Sequence, residues 1–170
     1  MIAPTLTAPG LVLRPLELTD AEALFAAHGD AESHQYWSSP AHKNVEETRA
    51  YIEETLAIAG AHVWAITESG GVALGRIGLF VLREGVGEIG VIMRPEASGR
   101  GLASKALDLV LAHGFGPLGL HRVAADIDPD NSNSLSLFLR AGFTQEGVLR
   151  ANWKTHIGMR DSVIMAKLRG

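Results

Sequence analysis

The sequence predicts a mixed α/β fold with about seven strands, about four helices and at least one parallel strand pair. Three observations predict it. Helical apolar spacing dominates the early chain, and then the period changes to the short apolar runs of strands in "AHVWAIT", "GVALGRIGLFVL" and "GEIGVIM". "ESGG" punctuates these runs as a turn, which makes them a meander. After the meander come a glycine turn, a long helical pattern and the strand "HRVAADI", the connection a parallel pair requires.

Taken in order, "LVLRPL" reads as a first strand ended by Pro15. "TDAEALFAAH" opens a helix, with Thr19 as cap and Glu22 three residues later. The polar, proline-containing "DAESHQYWSSPAHKN" reads as a loop that carries Tyr36 and Trp37. From Asn44 a second helix places Val45, Tyr51, Ile52, Leu56 and Ala59 at helical spacing and stops at Gly60. "GRGLASKALDLVLAHGF" supplies the long helix, with Leu102, Ala106, Leu109 and Val110 turned inward. "DPDNSNSLSLFLRAGF" turns into another helix ending at Gly142, and the tail reads as two strands joined by a long polar connection.

With 170 residues the chain has the size of one domain and can bury a full core. Its 15 basic and 19 acidic side chains leave a net charge of −4, which argues against non-specific nucleic-acid binding. The absence of cysteine excludes disulfides, thiolate metal ligands and a thiol nucleophile. No secretory pattern opens the chain and no apolar run reaches a membrane span, so a cytoplasmic protein without a membrane partner is expected. The seven histidines form no zinc motif, and metal-free chemistry is expected.

The glycine turn carries the strongest functional signal. Gly99, Gly101 and Ala103 leave the start of a helix nearly bare, so its N–H groups can donate to phosphate oxygens, with Arg100 adding charge from the flank. The same glycines would also serve a tight strand-to-helix turn that binds nothing. Two nucleotide motifs fail: no G-x-x-x-x-G-K-[ST] occurs, and Ser104 stands where G-x-G-x-x-G requires glycine.

In "LRPL", "TDAEALF", "GEIGV", "GRGLASKAL", "LGLHRVAADIDPDNSNSLSLFLRAGF", "EGVLR" and "RDS", in this order, the chain resembles the GCN5-related N-acetyltransferase (GNAT) superfamily. The branch it resembles most acetylates the terminal amines of ribosomal proteins. The resemblance implies one N-acetyltransferase domain over residues 1–170 with a splayed, mostly antiparallel seven-stranded sheet. Acetyl-CoA is then the cofactor and coenzyme A the product. Ser98, Gly99, Arg100, Gly101, Leu102, Ala103 and Ser104 correspond to the pyrophosphate-binding segment, with Ser98 in place of the more general Gln or Arg. Ile89, Val91, Ile92 and Met93 correspond to the strand that pairs with the pantetheine arm, which Asn131 also meets. A tyrosine that protonates the leaving thiolate in many relatives is Phe138 here, lining the cofactor side, so the resemblance transfers that role to Ser134 or to water.

Acetyl transfer to an amine needs a proton acceptor, an oxyanion donor and a proton for the thiolate. Glu88 is the expected base, acting through water, and a backbone N–H near a bulge in Ile89–Ile92 is the expected oxyanion donor. Tyr36, Trp37, Glu88 and Trp153 are expected to meet the acceptor, with His156 a weaker candidate. The acceptor is a primary amine: a peptide N-terminus such as that of a ribosomal protein, or a small molecule such as an antibiotic. A non-catalytic acyl-CoA sensor is the alternative of another class. A monomer or a homodimer fits equally.

Overall fold

A computed structural model describes residues 2–170. Its strands are β1 (Leu6–Ala8), β2 (Leu11–Pro15), β3 (Ala61–Thr67), β4 (Gly75–Arg83), β5 (Val86–Met93), β6 (Arg122–Ile127), β7 (Thr144–Thr155) and β8 (Gly158–Leu168). They form one sheet in the order β1-β2-β3-β4-β5-β6-β8-β7. Every neighbouring pair is antiparallel except β5–β6. The helices are α1 (Ala21–His28), α2 (Ala31–His34), α3 (Val45–Ala57), α4 (Leu102–Phe115) and α5 (Ser132–Arg140). The sheet therefore has eight strands, one more than the sequence suggests. The addition is β1, whose three residues are too few to show a period.

Burial on both faces of the sheet makes three layers. On one face Trp64, Ile66, Ile77 and Leu79 pack against Leu107, Val110 and Leu111 of α4. On the other, Val63 and Ala65 pack against Leu24 of α1 and Ile52 of α3. Alternation along β3 thus sends successive side chains into two cores, and all seven of its residues are buried. The buried Trp64 indole needs a partner and donates to the Pro4 carbonyl at 2.6 Å.

Several local expectations give way to geometry. The first helix is entered through a 3-10 turn at Leu18–Asp20. Its reciprocal cap is Glu17 with Asp20, not Thr19 with Glu22, because Arg14 clamps the Asp20 carboxylate in reach of the Glu17 N–H. The loop after α1 contains the single-turn α2, capped by Asp30 accepting from the Ser33 N–H at 2.7 Å. Asn44 caps α3 as its position predicts, yet Leu56 faces solvent. The long polar connection near the C-terminus is itself strand: β7 and β8 form a long hairpin. Most of β7 is exposed on both faces, so its sequence lacks the alternation that would reveal it.

Candidate active site

The site arises where the parallel pair comes apart. β5 and β6 pair at Val86–Arg122, Gly87–Val123 and Glu88–Ala124, and there the ladder ends. β5 continues to Met93 on β4 alone, and β6 to Ile127 on β8 alone. Beyond Glu88 the facing edges diverge, so the main-chain groups of Ile89–Met93 that point across the gap have no strand to meet. The β5 register on β4 is regular throughout this stretch; the bulge lies between Val81 and Arg83 on β4. The expectation of a bulge in Ile89–Ile92 is therefore corrected: the extra residue is taken up beside the β4–β5 turn, away from the gap.

At one mouth of the gap the chain passes through a 3-10 turn (Pro95–Ala97) into the glycine turn and α4. Gly99 and Gly101 have φ of +76° and +74°, the left-handed region that glycine adopts at no steric cost. A Cβ at either would meet nothing within 4 Å, so conformation and not crowding selects glycine. Gly101 caps α4 without any side-chain hydrogen bond. Among the described residues, the amides from Gly99 to Ser104 donate to no acceptor of the protein, while Lys105 N–H begins the helical ladder on the Gly101 carbonyl. Buried Leu102 anchors this end of the helix. The Arg100 side chain is ion-paired with Glu68, so only its amide remains for the turn. A cavity of about 880 Å³ extends from here, lined by Val91, Ile92, Met93, Ser98, Ala103 and Ser104 among others.

A second cavity of about 270 Å³ lies on the other side, with Glu88, Tyr51, Arg76 and Trp153 in its wall. Tyr36, Trp37, Val91, Asn131 and Ser134 line both. One passage therefore runs through the gap between β5 and β6. Asn131 caps α5 by accepting from the Ser134 N–H at 3.1 Å, and this fixes both side chains at the junction. Phe138 touches the inner cavity only from the core, where it packs edge-on against Phe143. The Tyr36 hydroxyl donates to the Asp130 carbonyl at 3.1 Å, which holds the aromatic loop across the passage. Trp153 extends from β7 and donates from its indole to Asp126 at 2.8 Å. His156 sits at the hairpin tip and does not line the cavity.

Charges in this wall are unevenly matched. Asp128 is held by Arg160 at 2.7 Å, which keeps its carboxyl below the usual range. Asp161 accepts from the Ala151 N–H, and Asp126 from Trp153. Glu88 has none of these. It is open to the passage, yet the surrounding walls desolvate it and Asp126 adds like charge, so its carboxyl is pushed above the ordinary glutamate value.

Sequence reasoning missed the chamber behind Trp37. His28, His34 and His42 bring ring nitrogens within 4.8 Å of one another. Burial first, then Arg76 and the neighbouring imidazoles, lowers His28 to about 2. Burial and its neighbours lower His34 to about 4. Burial lowers His42 as well, so all three rings are biased toward the neutral form, the one that binds metals. The Arg76 guanidinium donates to His28 Nε2 at 3.4 Å, however, and its charge opposes a second cation in the same chamber. The residues come from α1, α2 and the loop before α3, and no spacing rule joins them.

Comparison with known proteins follows the same lines. Residues 10–144 match the acetyltransferase (GNAT) domain family. YoaA of Bacillus subtilis (strain 168), an uncharacterized N-acetyltransferase, is 34% identical over 154 residues, covering 86% of each chain. The spermidine N(1)-acetyltransferase of Escherichia coli (strain K12) is 25% identical over 145 residues, covering 84% of this chain and 77% of that one. The crystal structure of a probable GNAT-family acetyltransferase from Chromobacterium violaceum superposes with a TM-score of 0.90 at 25% identity, covering 99% of this chain and 88% of that one. With the split parallel pair and the bare helix start in place, the chain belongs to the GNAT family, the acetyl-CoA-dependent acetyltransferases that act on an amine acceptor.

Proposed function

We propose that this enzyme acetylates the N-terminal α-amine of a polypeptide, such as a ribosomal protein, by direct attack within a ternary complex. The observation that carries the reading is the continuous passage, with Glu88 in the wall of one cavity and the free amides of the glycine turn beside the other. Acetyl-CoA supplies the activated acetyl group. The amides from Arg100 to Ser104 would receive its pyrophosphate, because they are the unfilled donors of a helix start. The freed edge of β5 and Asn131 would receive the amides of the arm.

Glu88 takes the proton of the attacking amine through water, and its raised pKa brings it nearer the basicity that such a role requires. An α-amine, with a reference pKa of about 8, loses its proton far more readily than a lysine at about 10.4. Ser134, at the junction of the two cavities, returns a proton to the departing sulfur. A thiol of reference pKa about 8.5 asks for no strong acid, which suits a hydroxyl or water. Tyr36, Trp37 and Trp153 would hold the acceptor. The proposed reaction uses no metal, and the enzyme would act in the cytoplasm as a monomer or a homodimer.

A second reading, a small amine as acceptor, is favoured by the volume of the inner cavity, about 270 Å³, and by the likeness to a spermidine acetyltransferase. The test is calorimetric titration with acetyl-CoA, followed by thiol release over a panel of N-terminal peptides and small amines. Saturable binding with higher kcat/KM on peptides is expected. Preference for small amines would select the second reading. Binding with silence across the panel would make the protein an acyl-CoA sensor, and no binding at high micromolar concentration would remove the cofactor assignment.

A further inference from the structure

Arg76 is the least conventional residue in the molecule. It sits in β4 with 2% of its surface accessible. A buried guanidinium is normally matched by a carboxylate, because an uncompensated buried charge loses its hydration with nothing in return. No carboxylate meets it: none of the ion pairs among the described residues includes Arg76. Its partners are neutral. The guanidinium donates to His28 and to the Tyr51 hydroxyl, and lies 5.1 Å from the Trp37 ring centre and 5.0 Å from that of Tyr51. Its Nη1 has no partner among these hydrogen bonds and is not sealed off, and the residue lines the inner cavity. Burial pushes Arg76 below the ordinary arginine value, yet a guanidinium stays charged at any physiological pH.

The sheet sets this charge in line with Glu88. On the β4–β5 ladder Arg76 is opposite Ile92, Gly78 opposite Gly90, and Phe80 opposite Glu88, so all six positions share one face. Four residue steps along β4 lead from Arg76 to Phe80, roughly 13 Å of backbone at about 3.3 Å per residue. Between them the floor is open on the β5 side, over Gly90. The ring of Phe80 fills the space above Gly78, and a Cβ at Gly90 would meet nothing within 4 Å. A slender molecule can lie along this floor with one end at each charged group.

We propose that Arg76 is an anion subsite of the acceptor pocket, so that the accepted amine carries a carboxylate that pairs with the guanidinium while its amino group lies at Glu88. This rests on the acetyltransferase reading of the site and narrows its acceptor. Allowing for the reach of both side chains, amine and carboxylate stand on the order of 5–10 Å apart. The carboxylate supplies the counter-charge that the protein omits, and a charge-assisted hydrogen bond from the open Nη1 gives it direction. Two sources have this chemistry: a free amino-carboxylate, and a peptide whose second residue is Asp or Glu.

The test uses the whole protein and two matched pairs of probes: ε-aminocaproate with its carboxamide, and Ala-Glu-Gly with Ala-Gln-Gly as C-terminal amides. Calorimetric affinity is measured with and without coenzyme A, and kcat/KM with acetyl-CoA. The carboxylate member of at least one pair is expected to bind at least tenfold more tightly. The ratio should fall toward one in Arg76→Gln and be partly kept in Arg76→Lys. A preference in the first pair identifies a free amino-carboxylate, and in the second an acidic peptide. Equal affinity within both pairs in the wild-type protein, or a preference that survives in Arg76→Gln, overturns the subsite. Should Arg76→Gln not fold, the wild-type ratios and Arg76→Lys decide. Because binding is read without turnover, failure of acetyl transfer and failure of the subsite give different results.

Discussion

The two ends of the passage recognise their ligands by different means. At the glycine turn the donors are main-chain amides, and the side chains nearby are small or turned away, as Arg100 is toward Glu68. Behind Trp37 the reverse holds: the side chains of Arg76, Tyr51 and Trp37 line the cavity, with three imidazoles packed behind them, and the main chain is occupied by the sheet and helices. A site made of backbone accepts one ligand chemistry and tolerates change in most side chains. A site made of side chains can be rebuilt residue by residue. One scaffold can thus keep its acyl donor and vary its acceptor.

The largest effect should come from the chemical step between the two ends. Glu88→Gln should lower kcat by about 10²–10⁴, the usual range for losing a positioned base. In the wild-type protein kcat/KM should rise with pH through an ionisation above the ordinary glutamate range, and Gln should abolish that limb. An unchanged pH–rate profile in the variant would remove Glu88 as base. Acetyl-CoA affinity should be nearly unaltered, which separates this residue from the backbone site.

Gly101→Val tests the backbone end alone. A β-branched residue at φ +74° costs roughly 1–2 kcal/mol. Its side chain would also stand over the free amides. Acetyl-CoA should bind about tenfold to a hundredfold more weakly by calorimetry, with only a few degrees lost in Tm. Full affinity in this variant would refute pyrophosphate binding at the turn. Ser134→Ala should reduce turnover less than tenfold, since water can also protonate the thiolate; identical turnover when chemistry limits the rate would remove the serine from the mechanism.

Stability against acid tests the side-chain end. His28 and His34 are held neutral, with values lowered to about 2 and about 4 from 6.5. Depressed folded-state values mean that the unfolded chain binds more protons below about pH 6.5. Stability from these rings is therefore complete above that pH and is lost as pH falls toward the folded-state values. Tm should decline between pH 6.5 and 4, and less so in His34→Gln. The same pH slope in that variant would show that the chamber is not the acid-sensitive part.

How much of this was readable depends on distance along the chain. The glycine turn, its helix and the Asn131 cap each lie within a few consecutive residues, and the turn and its helix stand where the sequence predicts them. The first helix cap was misplaced by the pull of Arg14 on Asp20, a contact that begins in β2. Trp153 and Tyr36 border the inner cavity, and their hydrogen bonds to Asp126 and Asp130 could not be inferred from their own neighbours. Leu56 kept its helical spacing but met no opposing surface, so period alone overstated its burial.

Local chemistry determined, from the sequence alone, that a bare helix start follows a strand and that an acid lies in that strand. Glycine conformations and cap hydrogen bonds are decided over a few residues, and such rules need no knowledge of the rest of the molecule. The resemblance implied a splayed sheet, and only the tertiary structure decided that the parallel ladder ends at Glu88, that Trp37 packs edge-on to Tyr51, and that Arg76 is buried with no carboxylate paired to it among the described residues. Those outcomes depend on which distant segments share a face of the sheet, and the free energy that selects them belongs to the packed whole.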